Sequence, residues 1–285
     1  MTGKTLRLKR FFTSRDGRVV LFPLDHGVTC GPMQGLQQMD RVIRMGVQGR
    51  VDGVVLHKGM MGFLDSVSPP LPGIFMHLSG STQLGEDPHW KVLVGTVEEA
   101  LRRGADGVSV HVNLGGTREP DMLRDLGRVG EACAAWQLPL LVMVYVRGEK
   151  IPSPAPDTAI AHAARVAAEL GADIIKIPAP SEGSILREIT ESLPVPIVVA
   201  GGSKARETFP FLQHLEKTLE AGARGVAIGR NVFQHDQPEA LLRAVHRIVH
   251  RGFSAARAWE EFSRDPCEGL SANSNLAVRQ RTSAG

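Results

Sequence analysis

The chain has 285 residues, 42% of them hydrophobic and 22% charged, with a formal net charge of +3. That is about twice the length of an ordinary domain, enough for two domains or one large α/β barrel, and the composition has neither the apolar poverty nor the charge excess of a disordered chain. The longest apolar stretch, Leu138 to Val146, falls far short of the roughly 20 residues that cross a bilayer, and the interspersed charges leave no basic stripe for nucleic acid.

The opening residues, MTGKTLRLKRFFTSRDGR, hold no apolar segment of signal-peptide type, which makes the cytoplasm the expected compartment. Three cysteines, Cys30, Cys133 and Cys267, share no CxxC spacing, against both a disulfide scaffold and a thiolate zinc site. From Val19 onward one pattern recurs: a short β-branched run, a glycine-rich or polar break, then a helical period. The predicted strands are Val19–Leu24, Gly53–His57, Gly73–Leu78, Gly107–Val112, Pro139–Tyr145, Asp173–Ile177, Pro196–Ala200 and Gly225–Ile228. Most are continuous apolar runs, as expected of strands buried on both faces of a parallel sheet.

Between them, helices are predicted over Leu36–Val47, Glu119–Trp136, Ser184–Ser192, Thr208–Ala221 and Pro238–His250. Thr96-Val97-Glu98-Glu99 reads as a capping box opening a helix that runs to Gly104, and Asp157 as the cap of a helix ending at Gly171. The segment Ser66–Pro72 is too rich in proline for a full helix, so the outer layer is expected to be thin there. Eight alternations predict a (β/α)8 TIM barrel over residues 1–252. Residues 253–285 are a short C-terminal extension: one amphipathic helix carrying Ala256, Trp259 and Phe262, packed on a barrel face or a neighbouring subunit, then a mobile Ser/Asn/Arg-rich tail. No GxGxxG, Walker loop or HExxH accompanies the pattern.

In such barrels the reacting groups stand at the C-terminal ends of the strands. Those ends read Asp25-His26, His57-Lys58, His77, His111 with Asn113, Tyr145 with Arg147, Lys176, Gly201-Gly202-Ser203-Lys204 and Gly229-Arg230-Asn231. Lys176 lies inside the apolar DIIKIP, so it either pairs with a carboxylate such as Asp25 or Asp173 or becomes a neutral nucleophilic amine. Lys58 is a rival nucleophile. Gly201, Gly202, Ser203, Gly229 and Arg230 have the chemistry of a phosphate cradle, or else mark two tight βα turns. Asp25 suits proton transfer or a cap before Gly27; Tyr145 suits an acid or a core aromatic. His57, His77 and His111 are the candidate ligands of a zinc-dependent alternative.

PLDHGVTCGPMQGL, VEEALRRGADGVSVHVNLG, PLLVMVYVRG, GADIIK, VVAGGSK and AIGRNVFQHD, in this order, resemble the motifs of archaeal-type class I aldolases over roughly Arg7 to Gly252. Within that family the chain is most similar to the 2-amino-3,7-dideoxy-D-threo-hept-6-ulosonate synthases and related aldolases of aminohydroxybenzoate biosynthesis. The resemblance implies a Schiff base at Lys176, acid/base roles for Asp25 and Tyr145, phosphate held by Ser203, Gly229 and Arg230, a homo-oligomer, and neither metal nor cofactor. Ile177-Pro178-Ala179-Pro180, and Val146 between Tyr145 and Arg147, depart from the family pattern.

The expected reaction joins a keto-phosphate such as dihydroxyacetone phosphate to an aldehyde. Aspartate semialdehyde is the preferred acceptor, with His26 and Arg147 among the substrate-binding residues. The alternatives are a fructose-bisphosphate aldolase, a thiolase-like transfer on a phosphorylated diketone, and a phosphosugar-binding barrel without catalysis.

Overall fold

The structure is a computed structural model that describes residues 1–264. Eight parallel strands close into a barrel in chain order: Val19–Pro23, Gly53–Leu56, Gly73–His77, Gly107–Leu114, Leu140–Val146, Ile174–Ile177, Ile197–Ala200 and Gly225–Ala227. The first strand pairs on one side with the second, Phe22 against Val54, and on the other with the eighth, Val20 against Val226. Alternation along each strand separates two sets of side chains. Val20, Phe22, Val54 and Val142 pack outward beneath the helices, while Val19, Leu21, Val55, Phe75, Leu141, Met143, Ile174 and Val198 fill the barrel. Each is essentially inaccessible, and burial at this level contributes roughly 1.5–3 kcal/mol for a large aliphatic or aromatic side chain.

The N-terminal segment, to which hydrophobic periodicity assigns no element, closes the barrel floor. Gly3–Leu8 is helical, and the Thr2 hydroxyl caps it by accepting the Thr5 N–H at 3.2 Å. The chain then places Phe11 in the barrel base, fully buried and stacked on Phe75 with ring centroids 3.9 Å apart. Gly73 makes this possible, because a Cβ there would lie 2.5 Å from the Phe11 ring.

Three aspartates immediately preceding strands tie the floor together. Asp52 accepts the Val20 N–H at 2.7 Å, Asp106 that of Ile74 at 3.0 Å, and Asp173 that of Leu140 at 2.8 Å. Asp173 also pairs with Lys4 at 2.9 Å, which commits it to the end of the barrel away from the Lys176 side chain. His250, on the helix Pro238–Arg251, bridges Asp52 (Nε2 to Oδ2, 2.9 Å) and Asp16 (Nδ1 to Oδ2, 3.2 Å). Burial opposes its proton, but the hydrogen bond and charge of Asp52, helped by Asp16, outweigh burial and raise its pKa.

Around the strands run Met39–Gln48, Val97–Arg102, Glu119–Trp136, Asp157–Glu169, Gly183–Ser192 and Thr208–Glu220, with Pro238–Arg251 completing the ring. The helix expected from Leu36 starts only at Met39, because the Leu36 N–H closes a turn on the Met33 carbonyl at 3.0 Å. Lys58–Ser66 is a 3₁₀ helix, so the outer layer is thin where the prolines follow.

Two expected caps differ. The Thr96 hydroxyl accepts the Glu99 N–H at 3.1 Å, but the Glu99 carboxylate pairs with Lys58 and Arg103 instead of completing a capping box. Asp157 does not cap its helix; its carboxylate reaches the loop after the sixth strand. Ala255–Arg264 lies on Thr208–Glu220 and Pro238–Arg251, burying Ala255, Ala258 and Phe262, with Trp259 5.9 Å from Phe209. The expected mobile tail lies outside the described residues.

Candidate active site

Lys176 stands level with Met143 and Val198 in the strand register, and both of those side chains point into the barrel. Above that layer, alternation turns Tyr145 inward as well, and a cavity of about 660 Å³ opens at this end. His26, Tyr145, Arg147, Lys176, Gly201, Gly202, Ser203, Gly229 and Arg230 all line it. Asp25 lies outside the lining, between two imidazoles: Oδ1 is 3.8 Å from His26 Nδ1 and Oδ2 is 3.7 Å from His77 Nε2.

The Lys176 side chain is nearly enclosed, at 8% exposure, and its Nζ meets Met143 Sδ at 3.9 Å. Among the described residues no carboxylate forms an ion pair with it, so neither Asp25 nor Asp173 plays that part. Lys58 lies elsewhere, 44% exposed with its Nζ 3.3 Å from Glu99, and does not share the cavity.

Asp25 occupies the N-cap position of the short helix His26–Cys30 without making a capping hydrogen bond, which leaves its carboxylate to the site. Burial alone would push its pKa up. The His77 and His26 rings when protonated, together with Lys176, outweigh burial and hold the carboxyl well below the usual range. Burial pushes His77 down to about 4 despite Asp25, and drives His111 far down as well, so both rings are neutral at pH 7.

His77 Nδ1 pairs with the Ser109 hydroxyl at 2.8 Å, and His111 Nε2 with the Asn113 carbonyl at 3.0 Å. His57 packs edge-on against His77, with centroids 5.1 Å apart. The zinc arrangement considered for His57, His77 and His111 does not form: among the described residues no group of three or more His, Cys, Asp or Glu is placed to hold a metal. Tyr145 is half-buried wall rather than core, 5.0 Å from the His111 ring and covered by the Arg147 guanidinium at 4.4 Å.

On the opposite wall Arg230 Nη2 donates to the Gly202 carbonyl at 3.2 Å. Gly229 admits no side chain, since a Cβ would lie 2.8 Å from the Pro23 carbonyl. Buried Asn231 braces the two turns, donating to the carbonyls of Gly201 (2.6 Å) and Ser203 (3.1 Å) and accepting the Ala205 N–H (2.6 Å). The sequence placed Asn231 at this rim without a role; a carboxamide beside an arginine in a glycine turn was the available signal.

Two contributors were not among the site residues expected from sequence. Asp157 accepts the Ser181 N–H, the Ser181 hydroxyl and the Glu182 N–H, each at 2.9 Å, fixing the loop whose Pro178, Ala179 and Ser181 line the cavity. A hairpin of Ser79–Gly80 and Val92–Leu93 follows the third strand and buries Lys91. Within HWKVLV that lysine carries no periodic mark that separates it from a solvated one.

Known proteins resemble this chain in sequence or in structure. A 2-amino-4,5-dihydroxy-6-oxo-7-(phosphonooxy)heptanoate synthase of Streptomyces griseus is 41% identical over 258 residues, covering 90% of this chain and 94% of the relative. A 2-amino-3,7-dideoxy-D-threo-hept-6-ulosonate synthase of Archaeoglobus fulgidus is 40% identical over 250 residues, 88% of this chain and 92% of the relative. An archaeal fructose 1,6-bisphosphate aldolase, solved with its catalytic lysine covalently bound to the carbinolamine intermediate, superposes with a TM-score of 0.80 at 30% identity, covering 87% of this chain and 99% of that one. The DeoC/LacD family aldolase profile matches residues 19–235, and the chain belongs to that family of class I aldolases.

Proposed function

We propose that the protein condenses dihydroxyacetone phosphate, or a longer keto-phosphate, with aspartate semialdehyde through a Schiff base at Lys176. The observation that carries the reading is the placement of Lys176: enclosed, without a carboxylate partner among the described residues, and sharing one cavity with Tyr145, Ser203 and Arg230. The neutral amine adds to the ketone carbon, the ketone oxygen takes a proton, and the carbinolamine loses it as water to give an iminium. Loss of a proton from the adjacent carbon yields an enamine. Its carbon attacks the aldehyde carbon, whose oxygen becomes a hydroxyl on protonation, and water then frees product and amine. Asp25, held ionised, stabilises the cationic intermediates, and the Tyr145 phenol moves the protons. The glycine turns and Arg230 bind the phosphate and so orient the reacting carbon.

Two features favour aspartate semialdehyde as acceptor. The product named for the Streptomyces griseus relative, divided at the bond between its hydroxyl-bearing carbons, yields aspartate semialdehyde and dihydroxyacetone phosphate. The loop after Lys176 is also a poor cradle for a second phosphate: Pro178 and Pro180 lack an N–H, and those of Ser181 and Glu182 are committed to Asp157. The test is a product assay with dihydroxyacetone phosphate and either aldehyde, combined with borohydride trapping. A trapped adduct on Lys176 and preferential use of aspartate semialdehyde are expected, with adduct and turnover both absent in Lys176→Ala. Labelling elsewhere, or efficient fructose 1,6-bisphosphate cleavage without product from aspartate semialdehyde, would overturn the reading.

A further inference from the structure

We infer that Lys91 recognises the carboxylate of the acceptor aldehyde, an assignment that rests on the aldol reading above. Lys91 is 7% exposed, and its ammonium donates to the hydroxyls of Ser81 and Thr29, the latter at 3.3 Å. An ammonium has three hydrogens, so one donor remains, and among the described residues no carboxylate is paired with Lys91. A buried cation whose direct partners are only hydroxyls, with Asp25 and Asp87 acting on it through their fields alone, leaves a position that an anionic ligand group can occupy.

The surroundings support a ligand anion. After burial, Arg147 is the strongest influence pushing the Lys91 pKa down; Arg147 stacks on Tyr145 and likewise pairs with no described carboxylate. Asp25 reaches Lys91 with its field but is shared with His77, His26 and Lys176. His89, two residues before Lys91, lines the cavity, and the Lys91 charge is felt there and at His57, His77 and His111. In the strand order the third strand, which precedes the hairpin, lies across the barrel from the seventh, whose loop meets Arg230. Lys91 itself stands behind the cavity lining, hydrogen-bonded to Thr29 of the helix whose first residue, His26, lines it; an aldol product with its phosphate toward Arg230 would carry its carboxylate toward Lys91, with Lys176 on the arc between them.

The test compares kcat/KM for aspartate semialdehyde with that for uncharged glyceraldehyde, using dihydroxyacetone phosphate as donor. Lys91→Gln keeps hydrogen-bond donors toward Thr29 and Ser81 while removing the charge; Lys91→Arg keeps the charge. The ratio is expected to fall at least tenfold in Lys91→Gln, mainly through KM for aspartate semialdehyde, and to recover in Lys91→Arg. Borohydride trapping of the keto-phosphate on Lys176 identifies folded variants. Thr29→Val, which keeps the lysine but removes one hydroxyl steering it, is a second variant expected to lower the same ratio. If the wild type uses aspartate semialdehyde and the ratio is unchanged in Lys91→Gln, the inference alone fails. A larger rise in KM for dihydroxyacetone phosphate than for the aldehyde also overturns it, by assigning Lys91 to the phosphate. A wild type giving no product from aspartate semialdehyde overturns the underlying reading.

Discussion

Arg230 combines two contacts in one side chain, bracing the Gly202 carbonyl and facing the cavity. Loss of its charge should weaken binding of a phosphorylated donor by the ~1.5–3 kcal/mol of a hydrogen bond to a charged group. Arg230→Ala is therefore expected to raise the KM for dihydroxyacetone phosphate about 10- to 150-fold and to affect dihydroxyacetone much less; equal losses with both would make Arg230 a loop brace only. Residues of this kind were legible because they follow directly on the end of an apolar strand run, where barrels of this type present their reacting groups. Lys91 and Asp157 were not, because their partners lie outside any local period: Thr29 on another connection and Ser81 across the same hairpin for the one, Ser181 and Glu182 on the next connection for the other. No local period records a hydrogen bond between two loops.

At the scale of elements, Asp157 couples the start of one helix to the loop preceding the next. Its three hydrogen bonds hold the segment after Lys176, so Asp157→Ala should lower kcat/KM about tenfold while borohydride still labels Lys176. Loss of labelling as well would show that the loop is needed for Schiff-base formation itself.

The last barrel helix is tied to the floor by His250 between Asp52 and Asp16. Because the folded pKa of His250 lies above its ordinary value, its contribution to stability is full below about pH 6.5 and is lost as pH rises through the raised pKa. Urea midpoints should accordingly fall for the wild type from about pH 6 to about pH 8 more than for His250→Gln. The two proteins should differ most at the acid end, by ~1.5–3 kcal/mol. A constant difference across that range would rule out the linkage. Sequence gave no notice of this tie, since an Asp-His-Asp contact spanning residues 16, 52 and 250 is set by barrel closure.

For the molecule as a whole, the eight strands were visible as apolar runs, and the barrel is the closed form that eight such parallel units reach. The floor was not visible, because Phe11 and Phe12 form no periodic run and Gly73 shows its purpose only beside the Phe11 ring. Phe11→Ala should cost the ~3–5 kcal/mol typical of removing a buried aromatic, read as a lower denaturation midpoint, with kcat at 25 °C retained. A loss of kcat without loss of stability would mean that the floor reaches the chemistry.

The stacked Phe11 and Phe75, with Leu21, Val55, Leu141, Ile174 and Val198 around them, form a dry plug below Lys176. Among the described residues this plug closes the barrel end below the lysine, and the vessel opens at the end where the cavity lies. Substrates, water, and the protons taken up and released at the amine all pass through the mouth, so whatever occupies the mouth also sets how fast the lysine exchanges protons with solvent.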